Sequence, residues 1–363
     1  MRIAIVAPLV SAIREPQRGG SQSLVADLAA GLQARRHEVH VYAATGSRIA
    51  GVRVIDTGID PVTLSDSLYR ADPVQFDSRP VEEAFATVYA AIRETAYDLV
   101  HNHAFDAPAI SLASALESPV VHTLHLPPDR SVVAALGEVR LCERRPVVAV
   151  VSASQASIWR ELTHVDLVLP NGVPTARMPW SSSRGAGVVF AGRLSPEKGA
   201  AEAIDIARIA GARIDLYGDP YDAEYAEKRV YPHRNEPGVA VHSSVERTRL
   251  WEIMSTASVV LCPAQWDEPF GMVAAEAQAG GTPVVAFRRG GLQEVLADGL
   301  TGFLVAPGDI GAAAAALTNA ATGIGRHDCR RHAETCLDLE SSLDVHEELY
   351  ARMTRSMKAR SRV

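Results

Sequence analysis

Short apolar runs alternate with stretches of helical spacing from one end of the chain to the other. Residues 3–7 form a continuous apolar run, and Leu24, Leu28 and Leu32 recur at four-residue intervals within 21–36. That pattern predicts a buried strand followed by an amphipathic helix. Further strands are predicted at 39–43, 52–56, 98–102, 120–124 and 147–151, with helices at 81–95, 107–116 and 154–161. These strands are continuously apolar rather than alternating, as parallel strands covered on both faces are. The rhythm is that of a doubly wound β-α-β sheet. It pauses over 170–187, where Pro170, Pro174, Pro179 and three consecutive serines give turn chemistry. It restarts with a strand at 187–194, a helix at 200–210 and strands at 213–217, 239–242, 258–262, 283–287 and 302–305. Residues 339–360 again read as helix.

The expected fold class is therefore α/β, with two Rossmann-like doubly wound domains facing across a cleft. The first covers 1–172, a linker covers 173–186, and the second covers 187–339. The last helix, about 340–363, is expected from its position to pack back on the first domain. Ligands of such sheets bind beyond the carboxyl ends of the strands, so the cleft is the expected site.

A chain of 363 residues is too long for one ordinary core. A net charge of -7 argues against a general nucleic-acid binder. The four cysteines, Cys142, Cys262, Cys329 and Cys336, form no C-x-x-C pair, which disfavours zinc and fits a reducing cytoplasm. No signal peptide and no apolar run of about 18 residues is evident, so no membrane span is expected. Arg352, Arg355, Lys358, Arg360 and Arg362 read first as a solvated helix end. Peripheral membrane contact is the rival reading of that tail. A nicotinamide oxidoreductase is disfavoured, because no G-x-G-x-x-G follows the first strand.

Two stretches carry candidate chemistry. In Glu268-Pro269-Phe270-Gly271-Met272-Val273-Ala274-Ala275-Glu276, two carboxylates stand eight positions apart. Eight helical residues would separate them by about 12 Å, so they share a site only if Glu268 lies in the loop before the helix. The amides of Gly271, Met272 and Val273 would then face an anion. Glu276 sits in an apolar helix and needs a partner; a ribose diol would serve. In Gly192-Arg193-Leu194-Ser195-Pro196-Glu197-Lys198-Gly199, two cations follow a strand end, where a diphosphate would lie. His101, His103, His122 and His125 cluster near two strand ends. A metal site is one reading of His-x-His, but no nearby carboxylate or thiol completes a ligand set. No D-x-D motif stands where a metal-dependent transferase would need one.

With these stretches the chain resembles the retaining GT-B glycosyltransferases of glycosyltransferase family 4, also called glycosyl transferases group 1. The likeness covers nearly the whole chain and is densest over 187–308. Its motifs are the pair Glu268 and Glu276, the run Gly192–Gly199, Pro170-Asn171-Gly172-Val173, Gly290-Gly291 with Glu294, and Gly299–Val305. The resemblance implies a hexose-type transfer from a nucleotide-sugar donor, a UDP-sugar by prior, to an acceptor of unknown class. It implies retention by a front-face route, with no cofactor and no divalent metal. Arg193 and Lys198 would hold the donor diphosphate, and Glu276 the ribose. Glu268 would face the sugar, with Phe270, Gly271, Met272 and Val273 beside it. Gly192 and Gly218 would let the donor approach the backbone, as would Gly20 in the first domain. Gln17 stands where related enzymes often carry Lys, a departure from the glycogen-synthase pattern. His125 matches the V-x-T-x-H strand of the family and would meet the sugar; His103 and Asn171 are further candidates. A sugar phosphorylase, an epimerase or a non-catalytic nucleotide-sugar binder are the alternatives on this scaffold. The acceptor is expected on loops 9–20, 59–80 and 126–140.

Overall fold

The computed structural model describes residues 1–17, 19–62, 64, 79–183 and 185–360, without the side chains of 358–360. Most of the 59–80 stretch expected to line the acceptor site, and Arg18, lie outside the described residues, as do the side chains of Lys358, Arg360 and Arg362. The chain divides into two compact units. One comprises Met1–Arg14, Gly20–Pro170 and Ser342–Val363; the other comprises Glu15–Gly19 and Asn171–Ser341.

Among its described residues the first unit holds seven strands: β1 (Arg2–Val6), β2 (Glu38–Ala43), β3 (Arg53–Asp56), β4 (Leu99–Asn102), β5 (Val120–Leu124), β6 (Val147–Val150) and β7 (Leu167–Val168). Their order is β3-β2-β1-β4-β5-β6-β7, and every neighbouring pair is parallel. The second unit holds β8 (Val188–Ala191), β9 (Ile214–Tyr217), β10 (Val239–His242), β11 (Val259–Cys262), β12 (Val284–Phe287) and β13 (Gly302–Val305). Their order is β10-β9-β8-β11-β12-β13, again all parallel. Both are Rossmann-like orders, in which the direction of winding reverses beside the first strand. The apolar runs explain the sheets: β1, β4 and β5 are buried along nearly their whole length, as are β8 and β12. The helix Gly20–Ala34 places Leu24, Leu28 and Leu32 in the core, as its spacing predicts.

The terminal helix Leu339–Arg360 is part of the first unit from Ser342 onward. Arg35 reaches both Asp344 and Glu347 at 2.6 Å. Gly31 makes room for Leu343, since a Cβ there would lie 2.5 Å from the leucine Cδ1. Among the described residues no helix is long and apolar enough to cross a membrane.

Three local expectations change. The helix expected at 107–116 is α-helical only over Ala107–Ser111 and tightens to a 3₁₀ turn over Leu112–Ala115. The two-residue strand Leu167–Val168 is too short for periodicity to reveal and stops before Pro170. The described part of 173–186, expected as linker, is packed within the second unit. Val173 bridges to Asp338, and the Arg326 guanidinium binds the Ser181 and Ala257 carbonyls at 2.7 Å each.

Close approach between strands sets one sharp constraint. A Cβ on Gly302 would lie 1.8 Å from the Val284 carbonyl oxygen of the adjacent strand. Backbone cannot yield there as a side-chain tip can, so Gly302→Ala is expected to destabilise the second unit by about 1–3 kcal/mol. Denaturant unfolding would measure this, and an unchanged midpoint would refute it.

Candidate functional site

In the second unit the winding reverses between β8 and β11, so the loops that follow these two strands diverge and leave a crevice beyond the sheet. The loop after β8 carries Gly192 to Gly199, and the loop after β11 carries Pro263 to Gly271. Gly199, at φ 76°, packs where a Cβ would lie 2.0 Å from the Pro263 carbonyl oxygen, so the two loops touch through backbone. Lys198 Nζ donates to both Glu268 oxygens, at 3.0 and 2.7 Å. Trp266 Nε1 donates to the same carboxylate at 2.7 Å, and the Lys198 ammonium lies 4.9 Å from the Trp266 ring centroid. Burial alone would raise the Glu268 pKa; the Lys198 charge and hydrogen bond, the Trp266 hydrogen bond and the Arg193 charge together hold it below the usual glutamate value. Arg193 pairs with Glu197 at 3.1 Å, and its guanidinium lies 4.4 Å from the Tyr221 ring centroid. Ser195 Oγ also donates to Glu197, at 2.7 Å.

Glu268 lies in the loop, ahead of the helix Met272–Ala279 that carries Glu276. Gly271 caps this helix with φ 107°, a left-handed conformation that glycine adopts at no steric cost. Gly290 and Gly291 lie under the loop: Cβ atoms there would come within 2.3 Å of the Glu268 oxygen and 2.7 Å of the Pro269 oxygen. The Gly291 N–H donates to the Glu268 carbonyl at 2.7 Å. Phe270 and Met272 are buried beside it. Glu276 is buried and ion-paired with Arg247 at 2.8 Å.

The profile described as Glycosyltransferase Family 4 matches residues 18–177, and that of Glycosyl transferases group 1 matches 182–334. The D-inositol 3-phosphate glycosyltransferase of Acidothermus cellulolyticus is 30% identical over 367 residues, covering 84% of this chain and 79% of that protein. The chain belongs to glycosyltransferase family 4.

A glycogen synthase of Mycobacterium tuberculosis is 30% identical over 247 residues, 61% of this chain. The match spans 59% of that relative's own length. Among solved structures, HepE of Anabaena in complex with UDP and glucose superposes with a TM-score of 0.72 at 20% identity, covering 97% of this chain and 99% of that one. The two Rossmann-like sheets are those of the GT-B fold.

Of the residues expected from sequence, the second unit brings together Gly192, Arg193, Lys198, Glu268 and the start of the helix Met272–Ala279. Gly218 has a local reason to be glycine: a Cβ would lie 1.8 Å from the Gly192 carbonyl oxygen, before any ligand is considered. Asn171 is buried at the start of the second unit, beside Gly172, which packs against the Leu339 backbone. Trp266 and Arg247 were not expected. Trp266 is two residues from Glu268, a proximity that could have drawn notice, whereas Arg247 is 29 residues from Glu276 and gives no sequence signal.

In the first unit Gly20 opens the helix Gly20–Ala34, while His103 and His125 follow the ends of β4 and β5. His103 Nδ1 and His125 Nε2 are 2.9 Å apart, so one carries the shared proton. His101 is satisfied on both nitrogens, by the Tyr350 hydroxyl at 2.5 Å and by Thr123 Oγ1 at 2.7 Å. Its ring centroid is 3.9 Å from that of His103. His122 meets the Asn102 amide at 3.1 Å. Among the described residues no group of three or more His, Cys, Asp or Glu is arranged to hold a metal ion.

Burial, aided by neighbouring histidines for some, lowers these pKa values. His122 falls to about 3 and His125 to about 4, while His101 and His103 fall well below 6.5 and His346 below it. Each is thus neutral in the fold and protonates more readily once unfolded. Their contribution to stability is complete above pH 6.5 and is lost as pH falls through and below that value. At pH 5.5 each strongly depressed histidine costs on the order of 1 kcal/mol. Buried Asp106, pushed up to about 7 by desolvation, opposes this in the same window. The melting temperature is therefore expected to drop by several degrees between pH 7.5 and 5.5; a flat profile would contradict the burial of this cluster.

Proposed function

We propose that the protein transfers a hexose-type sugar from a nucleoside-diphosphate sugar, a UDP-sugar first, to an acceptor hydroxyl. Transfer proceeds with retention and without a divalent metal. The observation that carries this reading is the Lys198–Glu268 pair at 2.7 Å, set at the switch point of the second sheet beside the N-terminus of the helix Met272–Ala279. A cation, a carboxylate and a helix N-terminus converge there, as a diphosphate and the sugar attached to it require. The HepE complex, with UDP and glucose on the same fold, supports the choice of donor. The four free cysteines support a cytoplasmic setting.

In this mechanism the arriving diphosphate draws Lys198 away from Glu268. Lys198 and Arg193 balance the charge that grows on the leaving phosphate as the bond to the anomeric carbon breaks. That charge work needs no metal ion. Glu268, released from Lys198 but still held by Trp266, accepts from the sugar hydroxyls and stabilises the oxocarbenium-like carbon. The amides of Met272 and Val273 face the donor and Glu276 takes the ribose; His125 is the first unit's candidate for the sugar. The acceptor oxygen enters on the face from which the phosphate leaves and passes its proton to the departing phosphate oxygen. No protein nucleophile is required.

The test is binding of a panel of nucleoside diphosphates in EDTA, by thermal shift and calorimetry, to wild type and to the Arg193→Ala/Lys198→Ala double variant. One diphosphate should raise the melting temperature of wild type by mass action and not that of the variant. With a donor sugar identified, Lys198→Ala should lower kcat by about 10²–10³, the usual effect of removing one preorganised charge at a transition state. Binding that needs added metal, or binding of NAD(H) alone, would sink the proposal.

A further inference from the structure

Glu276 lies in a helix whose neighbouring residues are nearly all buried and apolar, so its carboxylate must be met by something polar. The structure supplies a protein partner. Arg247 Nε donates to Glu276 Oε1 at 2.8 Å, with the two side chains only 9% and 6% exposed. Arg247 is itself held from two further directions. Its guanidinium lies 4.7 Å from the ring centroid of buried Trp251, one turn along the helix Arg247–Thr256. Its backbone N–H donates to Glu15 Oε2 at 2.9 Å. The ring contact restricts the plane of the guanidinium, the backbone bond anchors the helix start that carries it, and the charge-assisted hydrogen bond from Nε orients the carboxylate.

We propose that Arg247 is a positioning residue for the nucleotide. It orients Glu276 so that the carboxylate accepts from ribose hydroxyls, and so makes the site select ribonucleotides over deoxyribonucleotides. This rests on the ribose role proposed above for Glu276. A pre-oriented, buried, charged acceptor discriminates strongly, because a ligand lacking the hydroxyl leaves it under-satisfied. A carboxylate free to rotate would turn to other donors, and the discrimination would shrink. Neither residue touches the reacting carbon, so the effect belongs in binding and selectivity.

The experiment compares the affinities of UDP, 2′-deoxy-UDP and 3′-deoxy-UDP by calorimetry for wild type, Glu276→Gln, Arg247→Met and Arg247→Lys. Far-ultraviolet circular dichroism and melting temperature report whether each variant is folded. Wild type is expected to prefer UDP over at least one deoxy form by about tenfold or more. In Glu276→Gln and Arg247→Met that ratio should fall toward one. Arg247→Lys, which keeps the charge but loses the planar fork, should fall between. If Arg247→Met does not fold, the lysine variant carries the same comparison. A discriminating wild type whose ratio is unchanged in folded Arg247 variants would overturn the inference while leaving the ribose reading intact. A wild type that binds UDP and both deoxy forms equally would overturn the ribose reading and the inference with it. A wild type that binds no UDP defeats the donor proposal itself, and the selectivity inference falls with it.

Discussion

The strand order of the second sheet is the constraint on which the candidate site depends. All six strands are parallel, and the order turns back beside β8. The chain therefore leaves β8 and β11, two hydrogen-bonded neighbours, toward opposite faces. Their following loops diverge, and no crossover covers the space between them. Everything proposed for the donor follows from this one discontinuity. It puts Gly192–Gly199 next to Pro263–Gly271, although the two segments are some seventy positions apart in the chain. The glycines then set how close the loops come. Gly199 meets the Pro263 carbonyl, and Gly290 and Gly291 meet the backbone from Glu268 to Phe270. A side chain at any of these points would push the Glu268 loop away from Lys198.

The two ion pairs of this region differ in kind. Lys198 and Glu268 keep about a fifth of their side-chain surfaces exposed, at 22% and 18%. Such a pair gains modestly from its own attraction and can give way to a ligand that offers Lys198 a stronger negative charge. Arg247 and Glu276 are almost wholly withdrawn from water, where loss of one partner costs about 3–5 kcal/mol. That pair is not an exchangeable contact. It is a fixed acceptor with a defined orientation. One helix, Met272–Ala279, thus has an exchangeable carboxylate ahead of its N-terminus and a fixed one within it. A diphosphate and a ribose ask for that division: one charge must move aside, and the other must stay in place.

Much of this was legible in the sequence, for identifiable reasons. Parallel strands are buried on both faces, so most appear as apolar-rich runs, and among the described residues twelve of the thirteen strands lie within or close to the runs at which they were expected. β7 escaped because two residues carry no period, and the run after Gly187 was read too long because Leu194 continues its apolar character past Gly192. Glu276 stood out because a carboxylate amid Met, Val and Ala conflicts with its surroundings, and Glu268 as the carboxylate eight positions earlier, in the loop held by Pro269. What escaped was every partner supplied by another segment. Arg247 opens a helix of mixed composition and looks like any solvated arginine until the fold buries it. Sequence reasoning could say that Glu276 needed a partner and named a ligand, but it could not name the side chain that the fold also provides. The same limit applies to Gly218, whose glycine is required by the Gly192 carbonyl across the sheet.

The histidines of the first unit show how a distant segment completes a local site. His103 and His125 come from the ends of adjacent parallel strands, so pairing of β4 with β5 alone brings them near each other. That pairing only half-satisfies His101, which is buried two residues before His103. One of its nitrogens meets Thr123 on β5, and the other is met by Tyr350, 249 residues away on the terminal helix. His346, one turn earlier on the helix, donates to the Ser342 carbonyl, and its ring centroid is 5.7 Å from that of His101. Without the helix, His101 would keep a buried nitrogen with no partner, at a cost of about 1–3 kcal/mol, directly against the ring of His103. The return of the chain to the first unit after Ser341 therefore does more than cover apolar surface. It closes the hydrogen bonding of a buried imidazole whose neighbour shares a proton with His125, the residue proposed to meet the sugar.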